Sequence, residues 1–167
     1  MTTIALLVAL GCTPADAQAL VVYSAVAGAV YGVDRHEILA IAGVESTYGQ
    51  DERRSHKGAC GVLGVLGSRY GAPPCYAMEA FTWLAIWAGT VRLVYFRGHC
   101  DDWALPAYNG AWANCCGGSY YAKRKNDPDR VWRCDKTYRW KVRRKAERLR
   151  RGKHTPAHDP AHAGRSN

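Results

Sequence analysis

One carboxylate stands where a soluble helix usually carries an apolar side chain. In the stretch Asp34 to Ser46, DRHEILAIAGVES, the residues Ile38, Leu39, Ile41 and Ala42 form one stripe at about 100° per residue. Glu45, seven positions after Ile38 and four after Ile41, falls within that stripe. A carboxyl group so placed has two ordinary uses. As the polar end of an amphipathic helix it points past the core into water. Partly buried, it disfavours its ionised form and keeps a proton near neutral pH, which is what a general acid needs.

The elements that must position Glu45 follow from its neighbours. Asp34, with Glu37 three residues on, reads as a helix start: the Asp side chain accepts from free backbone N–H groups and the Glu reaches back from the third helical position. The helix should begin near Arg35. Thr47, Tyr48 and Gly49 follow, and a glycine there can take the left-handed conformation that ends a helix. Glu45 is thus expected in the last turn, facing inward. Upstream, Leu20 to Tyr31 is apolar with small residues and reads as a short buried helix, broken by Gly32-Val33.

Downstream, Gln50 to Lys57 is a polar, charged loop. Gly58 to Gly67 repeats glycine every third residue between small apolar ones, a spacing that suits backbone in close approach, either lining a groove or turning under the helix. Tyr76 to Arg97 is the longest apolar stretch, but Glu79 and Arg92 leave its uninterrupted part too short to cross a bilayer. It reads as a central buried helix ended by Gly98. In ALPAYNGA, Ala104 to Ala111, Tyr108 and Asn109 precede a glycine turn, where they offer hydrogen bonds at a surface or cap the turn locally. Cys115 to Arg133 looks like an excursion tied down by cysteines, with Tyr120, Tyr121 and Trp132 free to stack on sugar faces or to pack. Lys136 to Arg151 reads as a basic surface helix in which Tyr138, Val142 and Leu149 are the apolar minority, and residues 152–167 as a disordered tail.

The chain has 167 residues and a formal charge of +9, enough length for one domain with its own core. The charge seeks anions: nucleic acid, acidic membrane surfaces and cell-wall polymers all qualify, so it narrows the partner's sign and not its identity. Met1 to Ala19 resembles a secretory signal, with an apolar run from Ile4 to Leu10, Pro14, and Ala17-Gln18-Ala19 as the cleavage site, although no base precedes the run. Gly11-Cys12 offers lipid attachment as the alternative. An exported domain over residues 20–151 is the resulting expectation. Beyond Cys12, the even set Cys60, Cys75, Cys100, Cys115, Cys116 and Cys134 suggests disulfides in an oxidising compartment, the adjacent pair bonding to different partners. None of these has the two-residue gap of a zinc knuckle, which disfavours a metal site.

Four stretches in order carry a resemblance. Glu45-Ser46 closing a helix, GACGVLG from Gly58, ALPAYNGA from Ala104, and Tyr138-Arg139-Trp140-Lys141-Val142 resemble the successive motifs of the soluble lytic transglycosylases, relatives of goose-type lysozyme. The resemblance covers roughly Tyr31 to Val142. It implies a mainly α, lysozyme-like single domain with a substrate groove, Glu45 as the catalytic acid, Ser46 as the serine beside it, and Tyr108, Asn109 and Tyr138 lining the cleft. Three positions depart from the family pattern: Gly64 stands for its usual Gln, Gly67 falls near its usual Pro, and Ala85 stands for its usual Asn.

Most glycosidases need two carboxylates; here one is well placed, while Asp51, Glu52, Asp101 and Asp102 lack a helical apolar setting. The resemblance implies a single-acid reaction on peptidoglycan glycan strands that requires neither cofactor nor metal: Glu45 protonates the oxygen between N-acetylmuramic acid and N-acetylglucosamine, then takes the proton of the muramic 6-hydroxyl, giving a 1,6-anhydro product. A monomer, with the 136–151 helix drawn to an anionic wall or membrane surface and no nucleic acid partner, completes the expectation. The alternatives are a lysozyme-type hydrolase with Asp101 or Asp102 assisting a water, and a non-catalytic cationic wall or membrane binder using the 136–151 helix.

Overall fold

The computed structural model describes residues 1–51, 58–67, 71–100, 104–108, 121–124, 127–133 and 136–152, with the backbone path alone at 106, over 121–124 and 127–133, and at 136. It is mainly helical. In chain order the elements are α1 (Thr3–Ala9), α2 (Pro14–Tyr31), α3 (Arg35–Glu45), β1 (Ala59–Cys60), β2 (Val65–Leu66), α4 (Cys75–Ala80), α5 (Thr82–Cys100), α6 (Ala104–Pro106), β3 (Tyr121–Arg124), β4 (Asp127–Arg133) and α7 (Lys136–Arg151).

The core is built around α3. Ile38, Leu39, Ala40, Ile41, Ala42 and Gly43 are all buried, so this helix is enclosed by α2 on one side and α7 on another. Removing each of its large aliphatic side chains from water stabilises the fold by roughly 1.5–3 kcal/mol. Its start is as expected: the Asp34 carboxylate accepts from the His36 N–H at 2.9 Å. Glu37 does not reach back, however. It forms an ion pair with Arg97 near the end of α5, a tertiary contact that outcompetes the local one. The end of α3 is also more elaborate than a single glycine, since Thr47, Tyr48 and Gly49 successively take positive φ (50°, 62° and 86°).

α7 presents Tyr138, Val142, Ala146 and Leu149 to α3, all buried, four side chains on one helical face. Lys145 adds a polar tie. Its ammonium donates to the Gly43 carbonyl at 2.5 Å and sits 4.9 Å over the Tyr48 ring. A cation there meets carbonyls that the last turn of α3 leaves without helical partners. Burial, reinforced by the nearby charge of Arg148, pulls the Lys145 pKa below its ordinary value.

Several boundaries differ from the sequence reading. The apolar stretch after Tyr76 is two helices, α4 and α5, separated at Phe81. α5 runs through Gly98 to Cys100, a residue that is disulfide-bonded and so anchored beyond the glycine. It is not the enclosed central helix either, since Trp83, Trp87, Val91 and Tyr95 are exposed; α3 holds that place. The Gly58–Gly67 segment is an antiparallel hairpin pairing Ala59 with Leu66 and Cys60 with Val65. Cys60 is disulfide-bonded to Cys75 at the start of α4. Within the cysteine-rich excursion, β3 and β4 pair antiparallel from Tyr121↔Arg133 to Arg124↔Asp127.

α2 begins at Pro14, capped by the Thr13 side chain, and is therefore continuous across the expected cleavage site at Ala19. Leu6, Leu7, Cys12 and Ala17 are buried in the core, and the Gln50 side-chain amide donates to the Leu10 carbonyl at 3.0 Å. No described helix is long and apolar enough to cross a membrane.

Candidate active site

Glu45 is the last residue of α3, and after Ser46 the residues Thr47, Tyr48 and Gly49 turn the chain away. Its carboxyl is held by an element far along the chain. The Tyr138 hydroxyl, from the first turns of α7, donates to Glu45 Oε1 at 2.6 Å. The other oxygen faces the hairpin at Gly64. A methyl group at that glycine would lie 2.6 Å from Glu45 Oε2, and the glycine's φ is +62°, so both space and backbone conformation require a residue without a side chain. The glycine at position 64 thus has a local cause.

Burial pushes the Glu45 carboxyl above its ordinary value, against two effects that favour the carboxylate: the Tyr138 hydrogen bond and the positive charge of Arg92. Desolvation is the larger influence, so the group favours its protonated form more than a free glutamate does. Tyr138 is itself buried, and its phenol is raised well above its ordinary range by burial and by the nearby Glu45. It therefore acts as a hydrogen-bond donor at any working pH, not as a base.

Tyr108 supports the same arrangement from below the hairpin. Its hydroxyl donates to the Leu63 carbonyl at 2.7 Å, and its ring meets Phe96 edge-on at 6.5 Å between centroids. Gly89 on α5 makes room for this contact: a methyl there would lie 2.8 Å from the Tyr108 hydroxyl and would strike Leu63. Gly61 serves the same close approach: a Cβ there would come within 2.9 Å of the Ala85 methyl on α5.

Ser46 is buried. Its hydroxyl lies 3.0 Å from the Ala42 carbonyl and 2.8 Å from the Val62 carbonyl, and it accepts from the Gly49 N–H at 2.8 Å. With a single proton to donate, it bridges the helix end, the left-handed turn and the hairpin. The polar contacts of Ser46 and Tyr108 are thus internal, and both residues position Glu45 and the hairpin. Tyr138 touches the acid directly. Asn109 lies outside the described residues, as do Glu52, Asp101 and Asp102.

A cleft of about 760 Å³ opens beside Glu45. One wall is the hairpin, through Ala59, Cys60, Gly61, Val62 and Gly64, and another is the segment from Gly11 to Asp16 together with Leu20. Asp16, Asp51 and Glu79 line it along with Glu45. Sequence reasoning left Asp16 and Glu79 out, because no spacing along the chain relates them to Glu45. Arg92 was legible only as an interruption of an apolar run. In the structure its guanidinium lies 5.6 Å from the centre of the Tyr108 ring and 5.4 Å from that of Phe96, and its Nε is buried without a hydrogen-bond partner among the described residues. Cys60, Cys75 and Glu79 cluster closely enough to suggest metal ligands, but the two sulfurs are joined as a disulfide and a disulfide sulfur is not the thiolate a metal binds.

No protein-family model, curated protein or solved structure matches the chain. The chemistry of the site rests on its own geometry.

Proposed function

We propose that the chain is a peptidoglycan lytic transglycosylase of lysozyme-like architecture in which Glu45 is the sole catalytic acid and base. What supports the reading above all is a carboxyl group kept from water at a helix end, one oxygen held by the Tyr138 hydroxyl and the other turned toward the Gly64 hairpin, beside a cleft of polymer-binding size. With Tyr138 on Oε1, Oε2 carries the proton. It donates to the oxygen joining N-acetylmuramic acid to N-acetylglucosamine as that bond breaks, and an oxocarbenium-like transition state forms at the muramic anomeric carbon. The carboxylate left behind is stabilised by Tyr138 and Arg92. It then removes the proton of the muramic 6-hydroxyl, whose oxygen closes on the anomeric carbon. The acid is regenerated, no water is consumed, and the product ends in a 1,6-anhydro sugar.

One observation favours a second reading, hydrolysis. Asp51 and Glu79 line the same cleft as Glu45, and a second carboxylate across a glycosidic bond can activate a water molecule. Digestion of purified peptidoglycan followed by mass spectrometry separates the two, because the anhydro product is one water lighter than the hydrolysed one. Wild type should give the lighter product and Glu45→Gln none. A heavier product from wild type would establish hydrolysis, and full cleavage by Glu45→Gln would remove the proposed acid altogether.

A further inference from the structure

α2 breaks the usual rule for a surface helix. Between Asp16 and Asp34 the chain contains no Lys, Arg, Asp or Glu, yet α2 is not enclosed: Val22, Val26 and Val30, at four-residue spacing on one face, are 47%, 52% and 58% exposed. A helix apolar on every side is ordinarily buried on every side. Its neighbour α5 does the same. Thr82 to Val91 is free of charge, and Trp83, Trp87, Val91 and Tyr95 form a second exposed row at four-residue spacing. The two helices pack together, and Tyr31 meets Trp87 edge-on at 4.9 Å, so the rows join into one apolar face. Contiguous apolar surface of this extent marks a place where another phase or molecule sits.

The border of the face indicates what that is. Arg35, the first residue of α3 just past the end of α2, is exposed. The ion pairs Arg97–Glu37 and Arg150–Asp34 bring the end of α5 and the end of α7 to the same place. There Arg97 and Arg150 keep part of their side chains open to solvent, and on the exposed row itself His99 stacks on Tyr95 at 4.2 Å between ring centres. Exposed tryptophan and tyrosine rings next to arginines are the composition that settles at the level of lipid headgroups, the rings in the interface and the cations on anionic phosphates. A second copy of the chain would bring the same net charge of +9 and be repelled by it, whereas an anionic surface complements it. We propose that the α2–α5 face is a docking surface for an anionic lipid bilayer, on which the chain lies without crossing it. This differs from a membrane-active α7, whose apolar side chains Tyr138, Val142 and Leu149 are buried against the core, and it does not depend on what Glu45 does.

The experiment is co-sedimentation of the full chain with vesicles of phosphatidylcholine, with and without phosphatidylglycerol, at low and high salt. The unsubstituted chain should partition onto the phosphatidylglycerol vesicles and less so at high salt. Two separate double variants, Val26→Ser with Val30→Ser on α2 and Trp83→Ser with Val91→Ser on α5, should each weaken partitioning by about tenfold or more while retaining the thermal unfolding profile of the parent. Absence of partitioning by the parent overturns the proposal, as does equal partitioning by either folded variant. A lipid-free dimer of the parent that disappears in the variants would assign the face to a second copy instead.

Discussion

Replacing Tyr138 by Phe removes one hydroxyl and leaves the ring that packs between α7 and α3. The 2.6 Å bond it breaks ends on Glu45 Oε1, so the loss falls on the ionisation of that carboxyl. A hydrogen bond to a charged acceptor is worth about 1.5–3 kcal/mol and one to a neutral acceptor about 1. The carboxylate therefore loses about 0.5–2 kcal/mol more than the carboxylic acid does, which at 1.36 kcal/mol per unit raises the Glu45 pKa by roughly one unit beyond the elevation that burial already causes. The sign matters. Cleavage requires protonated Glu45, so the alkaline limb of kcat/KM against pH should move upward by roughly one unit in Tyr138→Phe, read from the release of soluble muropeptides at saturating and limiting peptidoglycan. The maximal rate should fall as well, because the carboxylate formed on proton transfer has lost a donor. An alkaline limb that stays where it was, in a variant with unchanged thermal unfolding, would show that the titrating group is not Glu45 held by Tyr138.

Three further outcomes follow from the same contacts. Gly64→Ala puts a methyl within 2.6 Å of Glu45 Oε2 at a backbone φ of +62°; it should cost about 1 kcal/mol or more of stability in urea unfolding and abolish most cleavage. Burial raises the Glu45 pKa, so the wild-type fold is fully stable with respect to this group below the ordinary value of 4.5 and loses stability as pH rises through the elevated one. Glu45→Gln should accordingly unfold at a higher temperature than wild type at neutral pH and at the same temperature below about pH 4, measured by calorimetry across that range. Leu7 is fully buried, so Leu7→Ala should destabilise the full chain by about 2–5 kcal/mol in urea; a neutral result would show that the leader-like segment takes no part in the folded core.

The parts of the fold that sequence reveals are those set by neighbours along the chain. The start of α3 is legible because Asp34 caps it locally, and the inward face of Glu45 because an apolar stripe at helical spacing contains it. The buried row Tyr138, Val142 and Leu149 of α7 is legible for the same reason. What stays hidden is set across the chain. Glu37 has a capping position but a stronger partner sixty residues away in Arg97. Tyr138 reaches Glu45 over a separation of 93 residues, which only the family resemblance hinted at. The break at Phe81 carries neither glycine nor proline to announce it. Tyr108 and Ser46 have the residue types of sugar-binding groups, and only the positions of the Leu63 and Val62 carbonyls reveal that their hydroxyls are engaged inside the protein. Composition misleads most at α2, where an apolar segment suggests burial and the structure leaves one whole face exposed.

The central claim is that Glu45 keeps its proton above the pH at which a free glutamate loses it. Carbon-13 labelling of glutamate side chains, with Glu45→Gln to assign the resonance, allows its carboxyl to be titrated directly in the folded protein. The midpoint should lie above the ordinary 4.5 and move upward again in Tyr138→Phe. A midpoint at or below 4.5 would mean that the carboxyl is ionised as it meets a glycan, and Glu45 could not be the acid.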